Sequence, residues 1–482
     1  DLESVFGGDS TSSVPEQQQQ QADPALVKLA TRKAARVLVP LFFSAVLVGF
    51  MDRSALATTA PALIGVLNLT DTEYGVASGI FYVGYVIMQY PSVIILDLLG
   101  ARIWYGSILM LWGTTTILTA FVQTAAQLIF ARFILGAAQA GVSIIAYVYL
   151  DRFLLPNQVT QVWSSAVLIA VQLANIIMGP LSAVILSTLG DSGLLAYQWV
   201  YIIMGSLALV VGSAVYIFML PAPENCKIFT RDEKSALLMA KAQLTSANTL
   251  SEAEQITAAL STWKSWYLGL TGFLYAAFYT MLQLFLPLLI LTITLNIPTI
   301  DSTQAETYAV FLTTIPYILG CLFLILSGES IVWLQHLRHP KLWTGLLALI
   351  VSTVLVSTYT LDDPENTVAA FLHLTVMAGL FTGVQSPLDT LPSDYLQQEG
   401  VSRCFALYNT LKNIGAAVGP VVMGSLLEQY TTEEATSLLG VTLLVPLTLL
   451  YGLFFVFVDL RPGMAQAPHP VKEPLPADSS SA

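Results

Sequence analysis

Twelve times along its 482 residues the chain runs through about twenty predominantly apolar side chains with almost no charge. Wound as a helix, a stretch of that length crosses the hydrocarbon core of a bilayer, roughly 30 Å thick. The stretches lie near 37–59, 74–96, 103–123, 125–150, 161–188, 197–220, 266–292, 307–327, 342–360, 366–387, 404–427 and 437–458. Lipid offers the backbone no hydrogen-bond partner, so only helices and closed barrels can cross it. Runs this long and this uniformly apolar lack the alternation of barrel strands. The expected fold class is an all-α polytopic membrane protein with twelve transmembrane helices.

Composition excludes the other broad classes. Only 10% of residues are charged, against about a quarter in a soluble protein. The net charge of −12 leaves no basic surface to grip phosphates, so no nucleic-acid partner is expected. Cys226, Cys321 and Cys404 show no paired spacing, and the four histidines are scattered. No metal, no cofactor and no enzyme activity are therefore expected.

The longest internal hydrophilic stretch, 221–265, sets six spans against six. The expected domains are a disordered tail over 1–36, a six-helix bundle over 37–220, a central loop over 221–265, a second bundle over 266–458 and a disordered tail over 459–482. Gly179-Pro180 in span 5 and Gly419-Pro420 in span 11 occupy matching places in the two halves. Internal repeats of this kind mark secondary transporters, whose substrate site lies near the midplane between the repeats.

Sixteen of the nineteen Lys and Arg residues fall in the tails and in alternate loops, including Arg102, Arg152, Arg338 and Arg403. The opposite loops hold none of them but carry eleven acids, from Asp71 and Glu73 to Glu433 and Glu434. The positive-inside rule then puts both termini and the central loop in the cytoplasm. A plasma or organelle membrane is the expected location, with a monomer as the working unit. Asn68-Leu69-Thr70 forms a glycosylation sequon on the outer side.

The three remaining cations, Arg53, Arg132 and Lys412, lie inside spans, and Asp52 is the one acid read there. Charges at such depth are costly and mark function by default. Gln139 follows Arg132 by seven residues, on the same helical face. Asn409, Lys412 and Asn413 share a face, as do Tyr275, Tyr279 and Gln283, and Tyr82, Tyr85 and Gln89. Polar faces in so apolar a chain imply a shared cavity, and three cations against one acid give it an anion as occupant. Expected substrate ligands are Arg53, Arg132, Lys412, Gln139, Asn409, Asn413, Tyr279, Gln283 and Tyr82. Asp52 is the expected carrier of a co-transported proton or cation, ion-paired with Arg53 or Arg132 when charged. Arg102, Gly179, Pro180, Gly419 and Pro420 are expected to gate or pack.

Five stretches carry a family resemblance: Met51-Asp52-Arg53; Tyr74-Gly75 through Phe81, with Tyr90-Pro91-Ser92; Leu99-Gly100-Ala101-Arg102; Ala131-Arg132-Phe133 through Gly136, with Ala140-Gly141; and Gly415 through Pro420. With these the chain resembles the anion:cation symporter family of the major facilitator superfamily, which includes sialin and the sugar-acid, tartrate, phthalate and allantoate permeases. The resemblance implies two six-helix bundles rocking about a central site. It implies coupling and anion binding by Asp52, Arg53 and Arg132. The family often has Glu where Gln139 stands, so coupling would rest on Asp52 alone. Lys412 stands where the family usually has a small residue.

The expected function is secondary active transport of a small organic anion, a carboxylate, by alternating access. The alternatives are a facilitator of a neutral solute on the same fold and a transporter-like receptor that moves nothing.

Overall fold

A computed structural model describes residues 23–190, 193–245, 260–297, 300–333, 340–358, 366–395 and 401–459, and among these it is helical with no strand. In the first half the helices are α1 (Pro24–Thr58), α2 (Ala60–Leu67), α3 (Asp71–Leu99), α4 (Ala101–Thr119), α5 (Ala125–Asp151), α6 (Pro156–Thr188) and α7 (Ala196–Phe218). The connecting helix α8 (Arg231–Thr245) follows. The second half holds α9 (Trp263–Leu295), α10 (Ser302–Leu312), α11 (Thr314–Trp333), α12 (Pro340–Ser357), α13 (Thr367–Gly383), α14 (Gln385–Tyr395), α15 (Val401–Leu427) and α16 (Thr432–Asp459).

Ten helices among the described residues are long and apolar enough to cross a membrane. The two other stretches are α4, nineteen residues long, and α12, apolar over Leu342–Ser357. Both pack along one side on their neighbours, α4 on α5 and α7, and α12 on α16 and α13. Two stretches are broken rather than continuous. The eighth divides at Thr313 into α10 and α11, and the tenth divides at Val384 into α13 and α14.

Local sequence explains the ends. Asp23 caps α1 by accepting a hydrogen bond from the Ala25 amide, and Pro24 fills the first helical position, where no N–H is needed. Asn68 ends α2 with φ 50°, a left-handed conformation that Asn tolerates better than most residues. Thr70 and Glu73 then form a capping box that starts α3.

The beginning of α1 corrects the sequence expectation of a disordered tail over 1–36. Residues 1–22 lie outside the described residues, but Pro24 onwards is helix. Hydrophilicity misled because good helix formers such as Ala, Lys, Leu and Arg need no membrane to stay helical. Val27, Ala30, Thr31 and Ala34 are buried there, and this end of α1 packs on α8. Lys33 clamps it, donating to both carboxylate oxygens of Glu233 at 2.7 and 2.9 Å. That bond, helped by the Thr230 amide, holds the Glu233 carboxyl below its ordinary value of 4.5. A depressed carboxyl stabilises the fold at pH above its unfolded value, and the contribution is lost as pH falls through the folded value. Glu233→Gln is therefore expected to lower the melting temperature at neutral pH and to flatten its decline below pH 4.5. An unchanged acid limb in a pH series of melting curves would show that the clamp carries no stability.

Within each half the helices approach closely. The tightest contact in the first half is α3 on α5, where a Cβ added to Gly136 would lie 1.8 Å from the Phe81 carbonyl oxygen. The counterpart in the second half is α9 on α15. Between the halves, α3 meets α15, α6 meets α10 and α11, and α1 meets α9. This exchange pattern is what two related repeats produce. The close contacts between halves gather at one end, called here the far end, where α1 finishes and α3 starts. Gly75 and Gly79 of α3 lie against the backbone of Pro420 and Ala417. Tyr74 donates to the Leu284 carbonyl at 3.0 Å.

Candidate functional site

Beneath the far-end seal, α1, α4 and α5 bring their polar residues to one point. Asp52 is 1% exposed, and its carboxylate accepts three hydrogen bonds. The Trp112 indole and the Thr116 hydroxyl donate from α4 at 3.0 and 3.1 Å. Gln139 Nε2 donates from α5 at 2.8 Å. The same amide accepts from Arg53 Nε at 3.0 Å. Gln139 thus stands between the acid and the base.

This corrects the expected ion pair. Among the described residues no cation lies within 4.0 Å of the Asp52 oxygens. Asp52 and Arg53 are neighbours in sequence, so their side chains leave the helix about 100° apart and do not face each other. The amide connects them instead.

The guanidiniums rest on rings rather than carboxylates. Arg53 lies 4.7, 4.9 and 5.2 Å from the ring centres of Phe50, Phe81 and Tyr85. Arg132 lies 5.0 Å from the ring centre of the same Phe81. It is 2% exposed, its Nε has no hydrogen-bond partner, and among the described residues it has no ion pair. Cation–π contact offsets part of a buried charge's desolvation but supplies no hydrogen-bond acceptor. An oxyanion would supply both charge and acceptor.

At the interface with the second half, Asn175 accepts from the Ser54 hydroxyl at 2.5 Å and from Gln283 Nε2 at 3.1 Å. Gln283 therefore serves the seal between halves. Tyr279 stacks on Tyr275 with ring centres 5.7 Å apart, and neither hydroxyl has a partner. Both polar atoms of Gln172, 2% exposed, are likewise unpartnered. Tyr279, Gln283, Tyr317 and Thr382 line a cavity of about 10 Å³, roughly the space of one water.

Lys412 brings a finding that the sequence reading missed. Its ammonium is 2.5 Å from Asp389, and the Tyr408 hydroxyl donates to the same carboxylate oxygen at 2.8 Å. Asp389 belongs to a span, for the tenth apolar helix runs over Thr367–Asp389. Lys412 is thus matched by an acid that the sequence count of three intramembrane cations against one acid left out. Asn413 donates to the Asn409 carbonyl at 2.9 Å, one turn earlier on the same helix.

The residues expected to gate divide between roles. Arg102 donates to the Met219 carbonyl at 2.6 Å, tying α4 to the end of α7. Gly179 faces Thr313 and Thr314 of the second half, next to Pro180 in the interior of α6. Gly419 packs inside its own half, on Ala277 of α9, while the Pro420 carbonyl reaches across to Gly75. Sequence reasoning passed over Trp112, Thr116, Phe50, Phe81, Tyr408 and Asp389. A signal existed for Trp112 and Thr116, which stand one helical turn apart on an apolar helix.

Comparison with known proteins agrees with this architecture. Residues 42–420 match the profile of the Major Facilitator Superfamily. A protein of Agrobacterium vitis named "Putative tartrate transporter" is 26% identical over 399 residues, covering 82% of this chain and 84% of its own. A quinolone resistance transporter of Acinetobacter baumannii is 27% identical over 428 residues, covering 87% and 92%. Among solved structures, the partially occluded inward-open conformation of the Escherichia coli xylose transporter XylE superposes with a TM-score of 0.64 at 13% identity, covering 88% of this chain and 99% of that one. That likeness is one of fold. Two matched halves meeting along paired helices, and a family match over most of the length, show that this chain belongs to the major facilitator superfamily of membrane transporters.

Proposed function

We propose that the chain is a secondary active transporter of a small organic anion bearing a carboxylate, working by alternating access with both termini in the cytoplasm. The observation that carries this reading is Arg132: a guanidinium 2% exposed whose Nε has no acceptor and which, among the described residues, has no carboxylate oxygen within 4.0 Å, Asp52 reaching it only through its field. A cation is not kept unpaired at that depth without a use, since burying it costs several kcal/mol, order of magnitude. Arg53 lies beside it on the shared Phe81 ring. Two guanidiniums around one ring suit a planar carboxylate, which takes parallel hydrogen bonds from each. The tartrate in the name of the Agrobacterium vitis relative supports the same substrate class.

Asp52 is the coupling group in this reading. Its three donors stabilise the charged form, and Gln139 reports its state to Arg53. Protonation turns one carboxyl oxygen into a donor and breaks one of the three bonds. The Gln139 amide can answer by turning over, which withdraws its oxygen from Arg53.

Counterflow in proteoliposomes tests the reading. Exchange is expected with carboxylates and not with neutral sugars or nucleosides, and an imposed pH gradient is expected to drive uptake only while Asp52 is present. Exchange of neutral solutes alone would point to a facilitator on the same fold. Exchange of nothing would point to a receptor.

A further inference from the structure

We propose that Asp389 is a built-in stand-in for a second carboxylate of the substrate, which the far carboxylate of a dicarboxylate displaces from Lys412. This inference rests on the anion reading above. Lys412 is an expensive residue to place in a span, and Asp389 neutralises it. The pair is not sealed in, however. The Lys412 and Asp389 side chains are 21% and 28% exposed, unlike Asp52 and Arg132. The Lys412 ammonium lies 5.6 and 5.8 Å from the ring centres of Tyr275 and Tyr408. It is thus held in an aromatic corner that resembles the setting of Arg53.

The Tyr408 hydroxyl gives Asp389 a second anchor, so Asp389 has a hydrogen bond to keep when it leaves Lys412. Asp389 is also carried on α14, a segment separated from α13 by the break at Val384. Such discontinuous spans are where transporters build sites that move. Gly79 of α3 packs on Ala417 of α15. Phe81, the ring shared by Arg53 and Arg132, stands two residues from Gly79 and Lys412 five residues from Ala417, which places the Lys412 corner and the arginines' ring on neighbouring helices across the seam between the halves. One end of the substrate would meet Arg132 and Arg53, and the other would meet Lys412. A monocarboxylate has nothing to offer Lys412 and leaves Asp389 in place.

An internal competitor lowers apparent affinity by the fraction of molecules in which it has let go. Removing it therefore tightens the ligand that needs Lys412 and no other. Affinities of the purified full-length protein would be measured by thermal shift and confirmed by counterflow, with tartrate, succinate and glutarate each set beside the monocarboxylate of the same length. Asp389→Asn is expected to tighten dicarboxylates about two- to fivefold, the scale of a partly exposed ion pair, and to leave monocarboxylates unchanged. Lys412→Gln is expected to erase the preference for dicarboxylates, which keeps the test open should Asp389→Asn not fold. Equal changes for both ligand classes, or weaker dicarboxylate binding in Asp389→Asn, would overturn the inference and leave the pair a clasp between α14 and α15. Failure of every carboxylate to stabilise the wild-type protein would overturn the anion reading as well.

Discussion

Arg132→Gln is expected to remove substrate binding and transport while leaving the protein folded. Truncating one partner of a buried, hydrogen-bonded charge pair costs about 2–5 kcal/mol, or roughly 30- to 4,000-fold in affinity. The loss should fall on the ligand and not on the fold, because among the described residues Arg132 makes no hydrogen bond that the variant would break. Its contact with Phe81 survives as apolar packing of the remaining stem. A melting temperature held within a few degrees, together with a collapse of carboxylate-induced stabilisation, is the expected result. Arg132→Lys is expected to recover only part of the binding, since an ammonium keeps the charge but not the planar fork. Wild-type uptake by Arg132→Gln in proteoliposomes would remove Arg132 from the site.

Gly79→Val is expected to drive the protein out of the state described. A Cβ at this position would lie 2.3 Å from the Ala417 carbonyl oxygen and 2.9 Å from a Val421 methyl, both in the opposite half. The clash exists only while the far end is closed. Overpacking of this kind costs about 1–3 kcal/mol, which shifts a two-state equilibrium about 5- to 150-fold. The variant should therefore open at the far end and stall in transport. A cysteine placed at Tyr90, near the other end of α3, would be labelled more slowly by a soluble thiol reagent in the variant once Cys226, Cys321 and Cys404 are replaced. Equal labelling in both proteins would mean that α3 and α15 stay apposed throughout the cycle.

The helices were legible because a bilayer leaves so few options. Length and apolarity alone place the spans, and the charges that remain stand out against them. Arg53, Arg132, Gln139 and Asp52 were found in this way, and the structure brings them together on α1 and α5. What escaped were relations that depend on which helix lies beside which. The sequence neighbours Asp52 and Arg53 suggest a pair, yet Gln139 from another helix separates them. Asp389 lies just beyond the apolar run that ends at 387, and only the packing of α14 on α15 shows it meeting Lys412. Aromatic residues such as Phe81 are unremarkable in a membrane span until two cations are found against one ring.

The far-end seal is made of glycines, backbone oxygens, the Tyr74 hydroxyl and the Gln283 amide. Among the described residues no ion pair crosses between the halves. Added salt can loosen a gate built from exposed ion pairs, because it screens their attraction over a length of about 8 Å at physiological ionic strength and less above it. Here the charges that face each other across the halves, Asp71 and Glu428, are of like sign, so added salt would ease their repulsion and tighten the gate instead. The rest of the balance between closed and open is set by fit, so hydrostatic pressure, which favours whichever arrangement wastes less volume, would move it as well.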